Sequence, residues 1–119
     1  MTPDTAERLA RTEAIFREVN ERIAETAERV DADDAEFICE CADAECVSRV
    51  EAELDTYEEV RSDGAAFLMV DGHQAPAIES TVETDGEIAV VRKTHPTARA
   101  VVEALDPRRR DDVQEQSAG

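Results

Sequence analysis

All three cysteines of the chain lie within eight residues, in the segment Cys39–Cys46, which reads Cys-Glu-Cys-Ala-Asp-Ala-Glu-Cys. On an extended strand, side chains two residues apart point to the same side. Cys39 and Cys41 can therefore direct both sulfurs at one point, and a turn over residues 42–45 can bring Cys46 back toward them. This spacing predicts three sulfur ligands for one metal ion.

His73 is the candidate for the fourth ligand. It follows an apolar run and the turn residues Asp71-Gly72, so its imidazole should emerge where a strand ends. Three thiolates and one imidazole suit tetrahedral zinc, whereas the common iron–sulfur clusters need four thiolates. The sequence thus predicts a zinc site formed by Cys39, Cys41, Cys46 and His73.

Two other interpretations of this segment stay open at the level of sequence. The single residue between the first two cysteines is tighter than the usual zinc-site spacing of about two to four, so the thiols could be reduced structural cysteines. If His73 is not a ligand, an open three-thiolate zinc with Glu40 or Asp43 nearby could hydrolyse a substrate. Acidic residues surround the thiols and should disfavour free thiolates. They are Asp33, Asp34, Glu36, Glu40, Asp43 and Glu45.

The composition explains why such a chain would need a metal. Its 119 residues include only three Phe, one Tyr and no Trp, and small domains with few large apolar side chains often need an additional cross-link. The formal net charge of -17 should repel nucleic acid and anionic lipid. It favours a protein partner with a basic surface, although acidity could equally serve solubility.

The cellular compartment is expected to be the cytoplasm. The first thirty residues lack the apolar stretch of a secretory signal, and no run is long enough to span a bilayer. In a reducing compartment, closely spaced cysteines bind metal or carry out redox chemistry more often than they form disulfides.

A long helix is predicted over residues 1–31, because Thr2-Pro3-Asp4 combines a capping hydroxyl, an early proline and an early acid. Apolar residues then recur at three, four or seven positions. They are Leu9, Phe16, Val19, Ile23, Ala27 and Val30. This stripe could pack on the protein's own sheet, or it could pair with a second copy in a homodimer or with a partner.

The remaining sequence predicts alternating short strands and helices. A cysteine-bearing strand comes first and pairs with an antiparallel strand over 49–54, and a capping box at 55–58 then opens a helix to Arg61. A central strand over 65–70 and a brief helix from Pro76 to about Thr84 follow. The last two elements are a strand over 87–92 and a C-terminal helix. His95 should be a surface or capping group, and the triplet Arg108-Arg109-Arg110 should be solvated.

These elements predict an α+β fold, with a long N-terminal helix and a small, mainly antiparallel sheet with short helices, stapled by a metal site. The expected organisation is an N-terminal amphipathic helix over 1–31, a zinc-stapled α+β domain over 35–93, a C-terminal helix over 94–106 and a disordered tail over 107–119.

The run from Phe37 to His73, FICECADAECVSRVEAELDTYEEVRSDGAAFLMVDGH, resembles a family of small uncharacterised bacterial proteins. In that family a C-x-C-x4-C segment precedes a V-x-L-T-x-x-E-Y-E-x-V-R stretch and an F-x-V-x-P-G-H element. The resemblance covers about residues 36–93 and departs from the pattern at Asp71, where proline is usual, and at Asp55-Thr56. It implies the same four ligands, and it implies no activity.

The sequence supports three functions of different kinds. The first is a non-enzymatic, zinc-stabilised adaptor or regulatory domain that binds another protein. The second is a metal-thiolate sensor, in which oxidation of the cysteines expels zinc. The third, with the weakest support, is a zinc hydrolase. No phosphate-binding glycine loop, nucleotide fingerprint or Ser-His-Asp order occurs in the sequence.

Overall fold

The computed structural model of the chain describes residues 1–109. The elements of this part are α1 (Pro3–Arg29), β1 (Asp34–Ile38), β2 (Arg49–Glu53), α2 (Leu54–Arg61), β3 (Ala66–Val70), β4 (Glu79–Asp85), β5 (Ile88–Lys93) and α3 (Pro96–Ala104). A long first helix, two small antiparallel sheets and short helices confirm the predicted α+β class. None of the helices within residues 1–109 has the length and apolar character needed to cross a membrane.

The strands form two separate sheets. β1 and β2 make an antiparallel pair in which Phe37 lies opposite Val50, and the second sheet has the order β3-β5-β4. The apolar strand β3 is buried along most of its length. Its expected central position is wrong, however, because β5 pairs with both of its neighbours and occupies the centre.

The segment after β1 connects the two sheets. The Cys39 amide donates to the Ser48 carbonyl (3.0 Å), and the next amide, that of Glu40, donates to the Leu68 carbonyl of β3 (2.9 Å). The predicted cysteine-bearing strand therefore ends at Ile38, because the backbone changes partner between residues 39 and 40. This change covers part of the edge of β3 that β5 leaves free.

Helix α1 starts as predicted, with the Thr2 hydroxyl accepting a hydrogen bond from the Thr5 amide (3.2 Å). Its buried face follows the predicted apolar stripe only in part: Ala27 is buried and Leu9 and Ile23 pack against the core, whereas Val19 and Val30 are 42% and 68% exposed. The buried residues of α1 are mostly small or polar. They are Ala6, Ala10, Glu13, Ala14, Arg17, Asn20, Ala24 and Ala27. Alanines let α1 approach its neighbours closely, and the polar residues bind buried groups there.

Two buried cations, Arg17 and Lys93, occupy space in a core that has few large apolar side chains. Arg17 donates to the carbonyls of Gly64 (2.8 Å) and Val102 (2.6 Å). Its guanidinium carbon lies 4.6 Å from the centroid of the Phe67 ring, and the Lys93 ammonium lies 4.1 Å from the same centroid. Cation–π attraction strengthens when both groups are desolvated, so Phe67 contributes both apolar area and charge stabilisation.

Helix α2 does not use the predicted capping box. It begins at Leu54, and no side chain caps its start. The Leu54 amide instead donates to the Asp33 carbonyl (2.8 Å), so the chain just before β1 satisfies the helix terminus. Tyr57 and Val60 of α2 are buried, and the centroid of the Tyr57 ring lies 4.3 Å from that of the stacked Phe37 ring.

The predicted helix after Pro76 is wrong, because strand β4 spans Glu79–Asp85. Thr81, Val82 and Thr84 are branched at Cβ, which favours extended backbone. The Asp85-Gly86 turn then lets this segment pair directly with β5. A break in register between Thr81 and Glu83 accommodates one extra residue.

The C-terminal part confirms the role predicted for His95, whose Nδ1 accepts a hydrogen bond from the Thr97 amide at the start of α3 (3.2 Å). Arg108 is not a solvated tail residue as expected. It bonds to Glu21 (3.1 Å) and Glu58 (2.8 Å), and residues 107–109 form a helical turn. The rest of the predicted tail, residues 110–119, lies outside the described residues.

Lys93 is fully buried between two carboxylates, Glu13 and Glu79. Its ammonium donates to Glu79 at 2.5 Å and also pairs with Glu13. Burial raises the pKa of Glu13 well above its usual range, and Lys93 only partly offsets this effect. The side chain of Glu13 therefore tends to hold a proton inside the protein.

Replacing Lys93 with methionine should lower the free energy of unfolding by about 3–5 kcal/mol, because two buried carboxylates lose their shared cation. Urea unfolding followed by circular dichroism measures the change. Glu13→Gln is the matched control and should cost clearly less, since glutamine resembles a protonated glutamate. An equal loss in the two variants would contradict this assignment.

Candidate metal centre

Cys39, Cys41, Cys46 and His73 converge at one point of the structure. One potential ligand atom from each lies within 4.8 Å of all the others. The Nδ1 atom of His73 is 3.5 Å from the Cys39 sulfur and 3.6 Å from the Cys46 sulfur. In tetrahedral zinc, bonds of about 2.3 Å to sulfur and about 2.0 Å to nitrogen place these atoms about 3.5 Å apart. The group could therefore hold a metal ion.

The cysteine loop owes its shape to local hydrogen bonds. The Asp43 carbonyl accepts from the Cys46 amide (3.0 Å), and the Asp43 carboxylate accepts from the Glu45 amide (2.9 Å). The turn predicted over residues 42–45 is thus present, and it returns Cys46 to the other two thiols. Aspartate favours such turns because its side chain can bond to backbone amides two residues on.

Strand β3 supplies the other side of the site. The Val70 amide donates to the Cys39 sulfur (3.2 Å), and the Val70 carbonyl accepts from the His73 amide (3.0 Å). The turn between them contains Gly72 with a φ of +105°, a conformation that residues with a Cβ rarely adopt. One residue of β3 thus positions both a thiol and the imidazole.

Glu40 lies between the first two cysteines in sequence, but its carboxylate contacts the core. It accepts hydrogen bonds from the side chains of Asn20 (2.8 Å) and Tyr57 (3.2 Å) and from the Leu68 amide (3.0 Å). Burial raises its pKa, while the Leu68 and Asn20 donors oppose the rise. Glu40 therefore anchors the cysteine loop, and its carboxylate is not directed at the candidate ion.

Asn20 is a supporting residue that the sequence interpretation missed. Its side chain donates to the Ile38 carbonyl (2.8 Å) and accepts from the Ile38 amide (2.9 Å). It thus holds the end of β1, from which Cys39 and Cys41 follow. The available signal was a polar residue spaced with Ala6, Ala10 and Ala24 on one helix face, a pattern that favours a packed rather than a solvated position.

The site has a buried side and a solvent side. Cys39 and Cys41 are buried, Cys46 is partly buried and His73 is exposed. An ion could reach the thiols from the side of His73 and Cys46 without rearrangement of the core.

The three thiols differ in acidity. Burial raises the pKa of Cys39 far above its usual value, against the opposing bond from Val70, and burial also raises the pKa of Cys41. For Cys46, burial acts upward, but hydrogen bonds involving Ser48, Cys41 and His73 outweigh it and lower the pKa to about 7. The expectation that every free thiol stays protonated is therefore wrong for Cys46.

Binding of a divalent metal at neutral pH should release about two to three protons per ion. Cys39 and Cys41 each give up a proton, and Cys46, with a pKa of about 7, gives up about half of one. Titration calorimetry in buffers of different ionisation enthalpy measures this number. The apparent affinity should fall by more than about a hundredfold for each pH unit below neutrality. Release of one proton or fewer would contradict a three-thiolate site.

Comparison with known proteins finds no relative of this chain. The chain matches no family model, no curated protein and no solved structure. The resemblance to small bacterial proteins with a C-x-C-x4-C segment therefore stays a prediction, and the function has to be argued from the site itself.

Proposed function

We propose that the protein is a non-enzymatic, zinc-stabilised adaptor or regulatory domain, with Cys39, Cys41, Cys46 and His73 as the zinc ligands. The observation that carries this proposal is the convergence of four ligand atoms within 4.8 Å. The two sulfur-to-nitrogen distances of 3.5 and 3.6 Å match those of tetrahedral zinc. Three soft thiolates with one imidazole favour zinc over magnesium or calcium, which prefer oxygen ligands.

A structural role follows from the number of ligands. A catalytic zinc keeps one position open for water or substrate, whereas four protein ligands fill a tetrahedral sphere. The carboxylate of Glu40, a candidate base in the hydrolase alternative, instead bonds to Asn20, Tyr57 and Leu68. Both observations support a closed site and argue against the hydrolase.

Zinc at this position would connect parts of the chain that are far apart in sequence. Three ligands belong to the loop between β1 and β2, and His73 follows β3 of the other sheet. One ion would therefore join the two sheets. Because structural zinc binds the folded state alone, its binding free energy adds to folding stability.

The adaptor role is supported by the surface charge. A net charge of -17 suits association with a basic protein surface and disfavours nucleic acid and anionic membranes. The cytoplasm is the proposed compartment, since reducing conditions keep the thiols available for zinc.

Protein purified without added metal should contain one zinc per chain, and His73→Ala should weaken zinc binding by more than about a hundredfold, the upper end of what losing a mere support of a ligand costs. Elemental analysis and competition with a chromogenic chelator measure these quantities. His95→Ala is the matched control, because His95 caps α3 and should leave zinc content unchanged. Equal zinc affinity in both variants would refute the ligand set.

A metal-thiolate sensor is the second candidate function, and the position of Cys46 favours it. This thiol is the most exposed of the three, and accessibility to solvent is a property of oxidant-sensitive cysteines. Peroxide would oxidise two thiolates to a disulfide, be reduced to water, and release the ion.

Hydrogen peroxide should release zinc from the wild-type protein at least about tenfold faster than from Cys46→Ser, because the serine variant lacks the accessible thiolate. A zinc indicator dye measures the rate, with the variant first shown to be loaded. Equal rates, or release only under strongly denaturing oxidation, would leave the structural role and reject the sensor.

A further inference from the structure

A groove of about 290 Å³ lies between helix α2 and the second sheet. Along β5 every second side chain is buried, and the alternate ones, those of Ile88, Val90 and Arg92, are only half-buried and line the groove. Successive side chains of a strand point to opposite faces of the sheet. The groove therefore lies on the face of β5 opposite to its fully buried side chains.

The floor of the groove is apolar and still reaches solvent. Ile88 and Val90 pack against the core on one side but are only half-buried, and Val82 is 61% exposed. Val82 is the extra residue at the break in register between Thr81 and Glu83, so β5 offers it no partner. An apolar side chain placed on this floor would remove apolar surface from water, which is favourable.

The rim of the groove is acidic on both sides. Glu59 and Asp63 lie on the side of α2, and Glu83 and Asp85 lie on β4. Arg92 is the one cation among the lining residues, and its guanidinium already donates to Asp63 (2.7 Å).

Three rim carboxylates, those of Glu59, Glu83 and Asp85, have no ion-pair partner within residues 1–109. All three are exposed. The rim therefore presents negative charge on two sides of an apolar floor, and its charge complement is a cation attached to an apolar group.

The chain itself supplies no such complement. Residues 110–119 contain one arginine and three acidic residues, and a second copy of the chain carries the same net charge of -17. The rim carboxylates would repel both. A segment of another protein that combines lysine or arginine with an apolar side chain complements the rim and the floor together.

We propose that this groove is the docking site for a basic segment of a partner protein. An apolar side chain of the segment would lie on the floor beside Val82, Ile88 and Val90, and lysines or arginines next to it would pair with Glu59 and Glu83. This inference rests on the proposed adaptor function, and it names the surface and the partner chemistry of that function.

A labelled peptide of alternating lysine and leucine residues, titrated with the zinc-loaded full chain and followed by fluorescence anisotropy, tests the docking site. The double substitution Glu59→Gln and Glu83→Gln should raise the dissociation constant about tenfold, because two favourable charge pairs are lost. The matched control is Glu25→Gln with Glu28→Gln, since both glutamates are exposed on α1 and do not line the groove. This control changes the net charge equally and should alter the dissociation constant by less than about twofold.

Val82→Ser tests the floor and should raise the same dissociation constant about fivefold, because a leucine of the peptide loses apolar contact. Val30→Ser is its matched control, since Val30 is 68% exposed and does not line the groove. It should leave the affinity unchanged. Circular dichroism of each variant establishes that the fold is retained.

Three results would each overturn the docking site. They are no binding by the wild-type protein, equal weakening by the two pairs of glutamine substitutions, and equally tight binding of a peptide with glutamate in place of lysine. Equal weakening would show that the whole acidic surface attracts the peptide, and the proposed adaptor function would then stand without this groove. The zinc content of the same samples reports separately on the zinc-stabilised domain.

Discussion

The passage of the backbone from one sheet to the other at Cys39 and Glu40 is the interaction on which the rest of the structure depends. Successive amides bond to Ser48 beside β2 and to Leu68 of β3. This crossing covers an edge of β3 that would otherwise expose unpaired backbone groups. It also sends alternate side chains in opposite directions, so that the thiols of Cys39 and Cys41 reach the candidate metal site while the Glu40 carboxylate enters the core.

The core around this crossing combines few large apolar side chains with buried charge. Arg17 and Lys93 lie against Phe67, and Glu40 is satisfied by donors from a helix, a strand and an aromatic ring. Buried charged groups add less net stability than apolar packing does. Removing one member of a buried pair is nevertheless costly, because the charge of the remaining member stays buried without compensation. The hydrogen bonds of Glu40 therefore anchor the cysteine loop to the core, next to a candidate site whose donor atoms must lie within tenths of an ångström of an ideal geometry.

The site and the outer surface of α1 have separate physical roles. At the site, burial suppresses ionisation of two thiols, and a divalent ion would reverse this by replacing their protons. On the helix, apolar residues and arginines remain outside the fold.

Residue spacing alone was enough to predict which side chains form the candidate site. Cysteines at 39, 41 and 46 and a histidine after an apolar strand predicted which four side chains would meet, because strand alternation and a short turn leave few other geometries. Spacing also located α1, the β1–β2 hairpin and α3. Only the tertiary structure decided which face of α1 is buried. The polar residues of that face are stabilised by hydrogen bonds to backbone groups of β1, α3 and the turn before β3, and these partners are distant in sequence. The tertiary structure likewise decided that residues 79–85 form a strand, because β5 supplies hydrogen bonds that no local pattern reveals, and that Arg108 is ion-paired, because its two glutamates lie 50 or more residues away in the chain.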